Sequence, residues 1–267
     1  MDDMPPGEEA QRRAGERSKW SAAVLPGRVI VIEIVCLAGW FVIYTRLHNL
    51  GGHDVAVATR NALSLQSQER DAHLDIALAA NQWLGQHPAL IRPAVLVYRG
   101  YYVVLVAVVL WIALRHGDLY PRLRRSLVAM TALVLPVWWL LPMSPPRFAL
   151  DGVVDIVARN DLFGSGASTA LNNGQNSLSA MPSMHVAFAA WCAYAVWSCL
   201  RRSHPRATWL AWLFPALMVA VVLVTGNHYV LDIVGSAVLL ALAVAIAQRV
   251  TWASITAKPQ RGSQPET

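Results

Sequence analysis

The sequence is poor in charge, since only 14% of its 267 residues are Asp, Glu, Lys or Arg, whereas about 25% is usual for a soluble domain. Hydrophobic residues make up 55% of the chain, and the mean hydropathy is +0.40. Several apolar runs approach the length that crosses ~30 Å of hydrocarbon. These features exclude a soluble globular enzyme and indicate an integral membrane protein.

Cysteine is scarce as well, and the three residues present, Cys36, Cys192 and Cys199, all lie inside apolar runs. They lack metal-ligand spacing, so they are interpreted as small buried hydrophobic residues and imply no disulfide framework. The formal net charge of +6 does not indicate a nucleic-acid partner, because the basic residues form short clusters between apolar runs.

The apolar runs predict an all-α integral membrane protein with six transmembrane helices. The spans are expected at about residues 28–46, 97–114, 127–141, 182–200, 207–224 and 229–247. Residues 28–250 would form one membrane domain between two polar tails, 1–27 and 251–267. The first tail is mixed in charge and precedes the first apolar run, so we do not expect it to be a cleavable signal.

Two polar segments follow the first span. Residues 47–66 are expected to form a loop. Residues 69–84 mix apolar side chains with Arg70, Asp71, Asp75 and Gln82, and they are too polar to cross a bilayer. They predict an amphipathic helix at the membrane interface, anchored by Trp83. A lid that faces the substrate is the alternative.

The distribution of Lys and Arg predicts the orientation of the chain. Fifteen of the 22 basic residues lie in or next to the two tails and in the loops after the second and fourth spans. Because short cytoplasmic segments are enriched in basic residues, both termini should be cytoplasmic and the loop 143–180 should face outward. We expect the protein in the plasma membrane.

Ionisable residues at the lip of a spanning helix are costly enough to be functional candidates. A Met-Pro-Ser-Met-His segment that ends at His185 opens the fourth span, and a segment containing His228 and Asp232 opens the sixth. Both openings lie on the outward side by the charge count, as does the loop that carries Arg147. Three segments are therefore expected to converge on one membrane face.

The spacing within these segments suits phosphoryl transfer. His228 and Asp232 are four residues apart at a helix start, so the carboxylate can hold one ring nitrogen and leave the other for the substrate. The helix start at Pro182 favours a phosphate beside His185, and Arg147 can bind that phosphate with two N–H groups. These side chains suffice for a phosphohistidine intermediate, with no metal or other cofactor.

Other interpretations of the same residues remain open. Each histidine can be an interfacial or hydrogen-bonded residue, and a His/Asp pair at this spacing is often a satisfied ion pair. A metal site made of His185, His228, Asp232 and Asp155 is a further alternative, although these four residues do not follow a compact ligand motif.

At these residues the sequence resembles the type 2 phosphatidic acid phosphatase superfamily, whose members share six spans, a Pro-Ser-Gly-His motif and a later His with Asp four residues on. The motifs here read Pro182-Ser183-Met184-His185 and His228-Tyr229-Val230-Leu231-Asp232, and the resemblance covers about residues 28–250. It implies that His228 is the nucleophile, that Asp232 orients it, and that His185 is the general acid for the leaving group.

Two cations of the phosphatase pattern are missing. A Lys followed after six residues by Arg-Pro is absent, and only Pro145-Pro146-Arg147 stands before the second motif; the Ser-Arg pair of the family is Val221-Val222 here. Pro-Pro-Arg and Gly-Asn-His-Tyr-x-x-Asp are instead similar to the branch containing inositol phosphorylceramide synthase, related to sphingomyelin synthases, where a head group is transferred between lipids. Fewer cations also suit a phosphodiester, which carries one negative charge.

Five further residues are expected to bind substrate. Ser183 and Tyr229 belong to the two motifs. Arg99, at the outward lip of the second span, is either a second cation for the phosphate or a side chain that snorkels to the interface. Asp155 and Asn176 either bind a polar head group or order the outer loop.

The sequence thus predicts a membrane lipid phosphatase or phosphotransferase that cleaves a lipid phosphate or phosphodiester through a phosphohistidine. The acceptor is water or an alcohol, and transfer of the inositol phosphorylceramide synthase type is included. The expected partners are the lipid substrate, an alcohol or lipid acceptor and the bilayer. The alternative is a non-catalytic carrier or flippase of lipid phosphates on the same fold, against which the unbroken apolar spans argue.

Overall fold

A computed structural model of the chain describes residues 26–160 and 176–256, with side chains described as far as residue 249. Helix accounts for 77% of the described residues, which contain no β-strand. An isolated bridge pairs Met143 with Ser179. In chain order the helices are α1 (Gly27–His48), α2 (Val55–Asp71), α3 (Ala77–Gly85), α4 (Pro88–Arg115), α5 (Tyr120–Leu140), α6 (Pro146–Ala149), α7 (Ile156–Arg159), α8 (Met184–Leu200), a 3₁₀ helix (Ala207–Trp212) followed directly by α9 (Leu213–Val224), and α10 (Val230–Thr256).

Five helices of the described part are long and apolar enough to cross a bilayer, which confirms the prediction of an all-helical membrane protein. Their segments are Gly27–His48, Pro88–Arg115, Tyr120–Leu140, Ala207–Val224 and Val230–Arg249. The remaining predicted span, α8, is apolar but has only 17 residues. At 1.5 Å per residue it is roughly 26 Å long, against ~30 Å of hydrocarbon. Most of the two predicted tails lies outside the described residues.

Two spans begin earlier than the sequence predicts. α4 starts at Pro88 rather than near residue 97, and α5 starts at Tyr120 rather than near residue 127. Arginines that marked a boundary in the sequence are accommodated inside α5, where Arg124 forms an ion pair with Glu33 of α1. Long basic side chains bury their stems and carry the charge to a partner, so they do not end the helix.

The segment between the first two spans departs from the prediction. Residues 47–66 are not a loop, because α2 begins at Val55, where the Asp54 side chain accepts from the Val57 N–H at 2.9 Å. One continuous helix over 69–84 is wrong, since α2 ends at Asp71 and a turn separates it from α3; the location at the membrane interface stays a prediction. The physical reason is a buried stripe at helical spacing that docks α2 onto α6 and α10; the stripe comprises Ala58, Ala62, Leu65 and Glu69.

The bundle is centred on α8, which packs against α4, α9 and α10, while α5 packs along α10. Phe188 and Trp191 of α8 are buried in the core, and the Trp191 indole N–H donates to Ser126 Oγ of α5 at 3.0 Å. α1 leaves a largely apolar face exposed, as a lipid-facing helix does.

The first turns of α8 and α10 lie side by side. The Ser236 hydroxyl donates to the Ser183 carbonyl at 2.8 Å and to the Asp232 carbonyl at 2.7 Å. A Cβ on Gly235 would lie 3.2 Å from the Pro182 Cβ, so glycine permits this close approach. The fold therefore brings together the two helix starts that carry the predicted histidines.

Candidate active site

A cavity of about 610 Å³ lies where α8 and α10 begin. Arg147, His185 and His228 all line it, although they come from three separate segments of the chain. Its other polar lining residues include Arg99, Asn227, His48, Asn49, Asn176 and Ser179. The three segments that the sequence predicts to converge thus line one and the same cavity.

The turn between α9 and α10 fixes the orientation of His228. Its Nδ1 lies 2.9 Å from the Ala180 carbonyl oxygen and 3.2 Å from Asp232 Oδ2. A carbonyl oxygen can only accept a hydrogen bond, so Nδ1 carries the proton. The other ring nitrogen, Nε2, therefore keeps its lone pair, and the ring lines the cavity.

Asp232 is the buried carboxylate behind this ring. Its Oδ2 accepts from the Tyr229 N–H at 2.9 Å as well as from His228. An acceptor at the third helical position that reaches back to the residue before the helix is half of a capping box. The pair His228 and Asp232 is therefore held by the helix start itself, at the spacing that the sequence shows.

Burial is the main reason that the pKa of His228 falls from 6.5 to about 3, and the positive charge of Arg147 lowers the pKa further. The hydrogen bond to the Ala180 carbonyl acts in the opposite direction. The imidazole is consequently neutral at physiological pH, which is the form that a nucleophile requires.

His185 occupies the first turn of α8, which begins after Ser183. Its ring centroid lies 4.2 Å from that of Tyr98 and 4.5 Å from that of Tyr101, both on α4. The centroids of His185 and His228 are 5.7 Å apart. Both rings line the cavity, so one ligand in the cavity can contact both.

Arg147 is held in place by several groups. Its Nε lies 3.1 Å from Asp155 Oδ2, Nη1 donates to Asn227 Oδ1, and the guanidinium lies 4.5 Å from the Phe148 ring centroid. Its backbone N–H donates to the Gly226 carbonyl at 2.9 Å. A guanidinium fixed in this way at the cavity wall can bind an anion with the N–H groups that remain.

Two residues predicted to bind substrate have their polar atoms occupied within the protein. Asp155 pairs with Arg147 through Oδ2 and caps α7 by accepting from the Ala158 N–H at 2.9 Å. The Asn176 amide donates to the Gly51 carbonyl at 2.7 Å and accepts from the Leu178 N–H at 3.0 Å. These contacts favour the alternative in which both residues order the outer loop.

The other three predicted substrate-binding residues are distributed differently. Arg99 lines the cavity. Ser183 is buried and caps α8, with its hydroxyl 3.4 Å from the Val186 N–H. Tyr229 is fully buried and packs against Ala62 and Leu65 of α2. The structure brings neither Ser183 nor Tyr229 to the cavity lining.

Several residues of the site went unrecognised in the sequence. Asn227 accepts from Arg147 and from the Tyr98 hydroxyl at 3.1 Å, so it links α4 to the loop that carries the arginine. Asn81 of α3 is buried and joins the Val154 and Val224 carbonyls at 3.0 and 3.1 Å. The Gly-Asn-His run signalled Asn227, whereas nothing local distinguishes Asn81 from other polar residues of its segment.

No group of three or more His, Cys, Asp or Glu side chains is arranged to hold a metal within residues 26–160 and 176–256. Of the four residues in the metal-site alternative, Asp155 is engaged by Arg147 and Asp232 by the Tyr229 N–H and His228.

Comparison with known proteins gives one match. Residues 63–246 match the sequence model of the PAP2 superfamily. No curated protein and no solved structure matches the chain. The match covers well over half of the chain and includes both histidine motifs, and the protein therefore belongs to the PAP2 superfamily, the type 2 phosphatidic acid phosphatases and their relatives.

Proposed function

We propose that the protein is a membrane lipid phosphatase or head-group phosphotransferase that works through a phosphohistidine on His228. Membership of the PAP2 superfamily suggests phosphatase-type activity on lipid phosphates. The observation that carries the proposal is the hydrogen bonding of His228, whose Nδ1 faces the Ala180 carbonyl and Asp232. That bonding leaves Nε2 as the unprotonated nitrogen beside a fixed arginine.

In the first step the Nε2 lone pair of His228 attacks phosphorus. A P–N bond forms while the bond from phosphorus to the leaving oxygen breaks, and its electron pair goes to that oxygen, which takes a proton from His185. Asp232, 3.2 Å from Nδ1, stabilises the positive charge that develops on the ring. Arg147 stabilises the negative charge on the phosphoryl oxygens.

In the second step the acceptor replaces His228. The acceptor hydroxyl gives its proton to His185 and attacks phosphorus through its oxygen. The P–N bond breaks, and its electron pair returns to Nε2. Water as acceptor gives hydrolysis, and an alcohol gives transfer, so the same residues serve both reactions.

The polar residues that line the cavity besides Arg147 and the two histidines favour transfer to a hydroxyl-rich alcohol. His48 and Asn49, at the end of α1, line the cavity together with Ser179, and His48 Nε2 lies 2.9 Å from Ser179 Oγ. Asn49 Oδ1 also accepts from the Asn176 N–H at 3.1 Å, so these residues both order the outer loop and give the cavity a polar wall. The Pro-Pro-Arg segment and the missing cations support the same conclusion, namely transfer of the inositol phosphorylceramide synthase type.

We further propose that α8 is the sixth crossing and that the site faces outward. α8 and α10 begin at the cavity, as expected if each crosses from that side. The charge distribution supports cytoplasmic termini, and the plasma membrane stays the expected location.

The test is an assay of the purified protein in detergent with a panel of lipid phosphates and phosphodiesters, with and without inositol or diacylglycerol. Free phosphate and new lipid are measured separately. Three results together support the proposal. His228→Ala abolishes turnover, His204→Ala on an exposed loop leaves turnover unchanged, and EDTA does not affect it. Lipid-phosphate movement across vesicles without any cleavage would establish the carrier alternative instead.

A further inference from the structure

Glu69 is a fully buried acid that the catalytic scheme does not use. It lies near the end of α2 on the buried stripe of that helix and is 0% exposed. Its Oε1 accepts from the Leu231 N–H at 2.7 Å, across 162 residues of sequence. Leu231 stands between His228 and Asp232, so this acid contacts the turn that carries the nucleophile.

The start of α10 requires such an acceptor. The first N–H groups of a helix have no partner within the helix, and a Ser, Thr, Asp or Asn side chain just before it usually accepts from the second or third of them. Here that position is Tyr229, whose ring packs against α2. Asp232 Oδ2 is already engaged by the Tyr229 N–H and His228. Glu69 therefore supplies from another helix the cap that the local sequence lacks.

The surroundings make this arrangement costly. Glu69 Oε2, Asp232 Oδ1 and the Tyr229 hydroxyl are buried and have no hydrogen-bond partner in the described part of the chain. Burial raises the pKa of Glu69, and the carboxylates of Asp232 and Asp75 raise it further, while the Leu231 N–H opposes the rise. A buried polar atom without a partner destabilises the fold, so packing alone does not account for an acid at this position.

We propose that Glu69 is a positioning residue, which binds the Leu231 N–H and thereby holds the turn from His228 to Asp232 in its reactive geometry. The effect on turnover rests on the proposed function, whereas the effect on the turn does not. A displacement of about 1 Å in a reacting group can cost about 100-fold in rate, so a small movement of this turn is sufficient.

The test compares Glu69→Leu, which removes the acceptor at similar volume, Glu69→Asp, which withdraws it by one methylene, and Glu69→Gln, which retains an acceptor oxygen. Gln66→Ala is the matched control, because Gln66 is a buried polar residue on the same helix. Hydrogen exchange of the peptide containing residues 228–232, kcat, KM and the amount of phosphohistidine are measured on protein that elutes as a single species in detergent.

We expect Glu69→Leu and Glu69→Asp to accelerate exchange in that peptide alone and to lower kcat by about 10- to 100-fold, with KM within about twofold. Phosphohistidine formation should slow in parallel. Glu69→Gln and Gln66→Ala should stay within about threefold of the unmodified protein. A role in folding alone would instead accelerate exchange along the whole chain and leave kcat per folded molecule unchanged.

Two further results would overturn the inference. One is an exchange rate and a kcat equal to those of the unmodified protein in both Glu69→Leu and Glu69→Asp, and the other is a loss of kcat in Glu69→Gln equal to that in Glu69→Leu. If Glu69→Leu does not yield folded protein, Glu69→Asp decides the question by the same criteria. If the unmodified protein cleaves no lipid phosphate, the proposed function fails, whereas the exchange measurements still decide whether Glu69 holds the turn.

Discussion

His228 and His185 are the same side chain in two environments. His228 has a carbonyl oxygen and a carboxylate on Nδ1, whereas the ring of His185 lies against the rings of Tyr98 and Tyr101. A carboxylate behind an imidazole stabilises the charge that develops when the ring acts as a nucleophile. The surroundings therefore support the division of roles that the resemblance implies.

The division of roles predicts different responses to a good leaving group. His228→Ala removes the covalent step and should abolish turnover of every ester. His185→Ala removes proton donation, which is typically worth 10²–10⁴-fold, and should recover part of its rate with p-nitrophenyl phosphate while accumulating phosphoenzyme. Rapid-quench labelling with ³²P substrate and peptide mapping measure this. Label on His185, or equal rescue of both variants, would show that the roles are reversed.

The low pKa of His228 predicts the acid side of the pH profile. Burial favours the neutral ring, so kcat/KM for a phosphodiester should show no loss from His228 near pH 6.5, and that loss should come only as the pH approaches about 3. Arg147→Gln removes a positive charge that lowers the pKa of His228, so its normalised profile should shift to higher pH. The expectation would be contradicted if kcat/KM of the unmodified protein fell between pH 7 and 6 because His228 becomes protonated there.

At the scale of elements, the turn between α9 and α10 joins His228, the proposed nucleophile, to Arg147, the proposed phosphate ligand. Gly226 has φ +71, and its carbonyl accepts from the Arg147 N–H. Asn81 packs against the same turn from α3 and holds the end of α9 through the Val224 carbonyl. The turn, α3 and the outer loop therefore form one connected support beside the cavity.

Gly226→Ala should disturb this support and lower activity. The added Cβ would lie 2.6 Å from Val153 Cγ1 and 3.1 Å from Asn81 Nδ2, and a left-handed backbone costs a residue with a Cβ about 1–2 kcal/mol. We expect kcat/KM to fall at least about 10-fold and thermal stability to decrease. Gly39→Ala is the control, because its Cβ would meet nothing within 4 Å. Equal behaviour of the two variants would mean that the turn tolerates displacement.

At the scale of the whole molecule, the site lies at one end of the helix bundle because the end of one helix and the beginning of another meet there. α1 contributes Tyr44 and His48 near its end to the cavity, and α8 contributes His185 from its beginning. Successive crossings bring alternate ends of helices to the same side of a bundle. With α8 as the proposed sixth crossing, the cavity would lie opposite the loops that follow the second and fourth predicted spans.

The orientation predicts which loops a membrane-impermeant thiol reagent reaches in intact cells. In a variant without Cys36, Cys192 and Cys199, Asp151→Cys in the outer loop should be modified, and Ser203→Cys in the basic loop after α8 should react only after permeabilisation. Both positions are exposed. The reverse labelling pattern would place the cavity on the cytoplasmic side.

Much of the fold and the centre of the site follow from local sequence features. Apolar runs set off by charge predict helices in a membrane, because lipid leaves the backbone no other partner than itself. The pair His228 and Asp232 lies within one helical turn, so its contact requires no knowledge of the rest of the chain. α5 starts earlier than the sequence predicts because an arginine in its first turns, Arg124, has a partner on α1, Glu33.

The composition and spacing of the sequence by themselves determined the helical membrane character, the family motifs and the His228–Asp232 pair, since each depends on residues that are close along the chain. Only the tertiary structure decided which distant residues support them. The sequence places Glu69 in an interfacial helix, whereas its side chain is buried and accepts from the Leu231 N–H. For Asp155 the sequence leaves open a head-group ligand or a residue that orders the outer loop, and the structure pairs it with Arg147. These contacts join segments far apart in sequence. The neighbours of a polar residue along the chain do not indicate whether its partner is water, substrate or another helix.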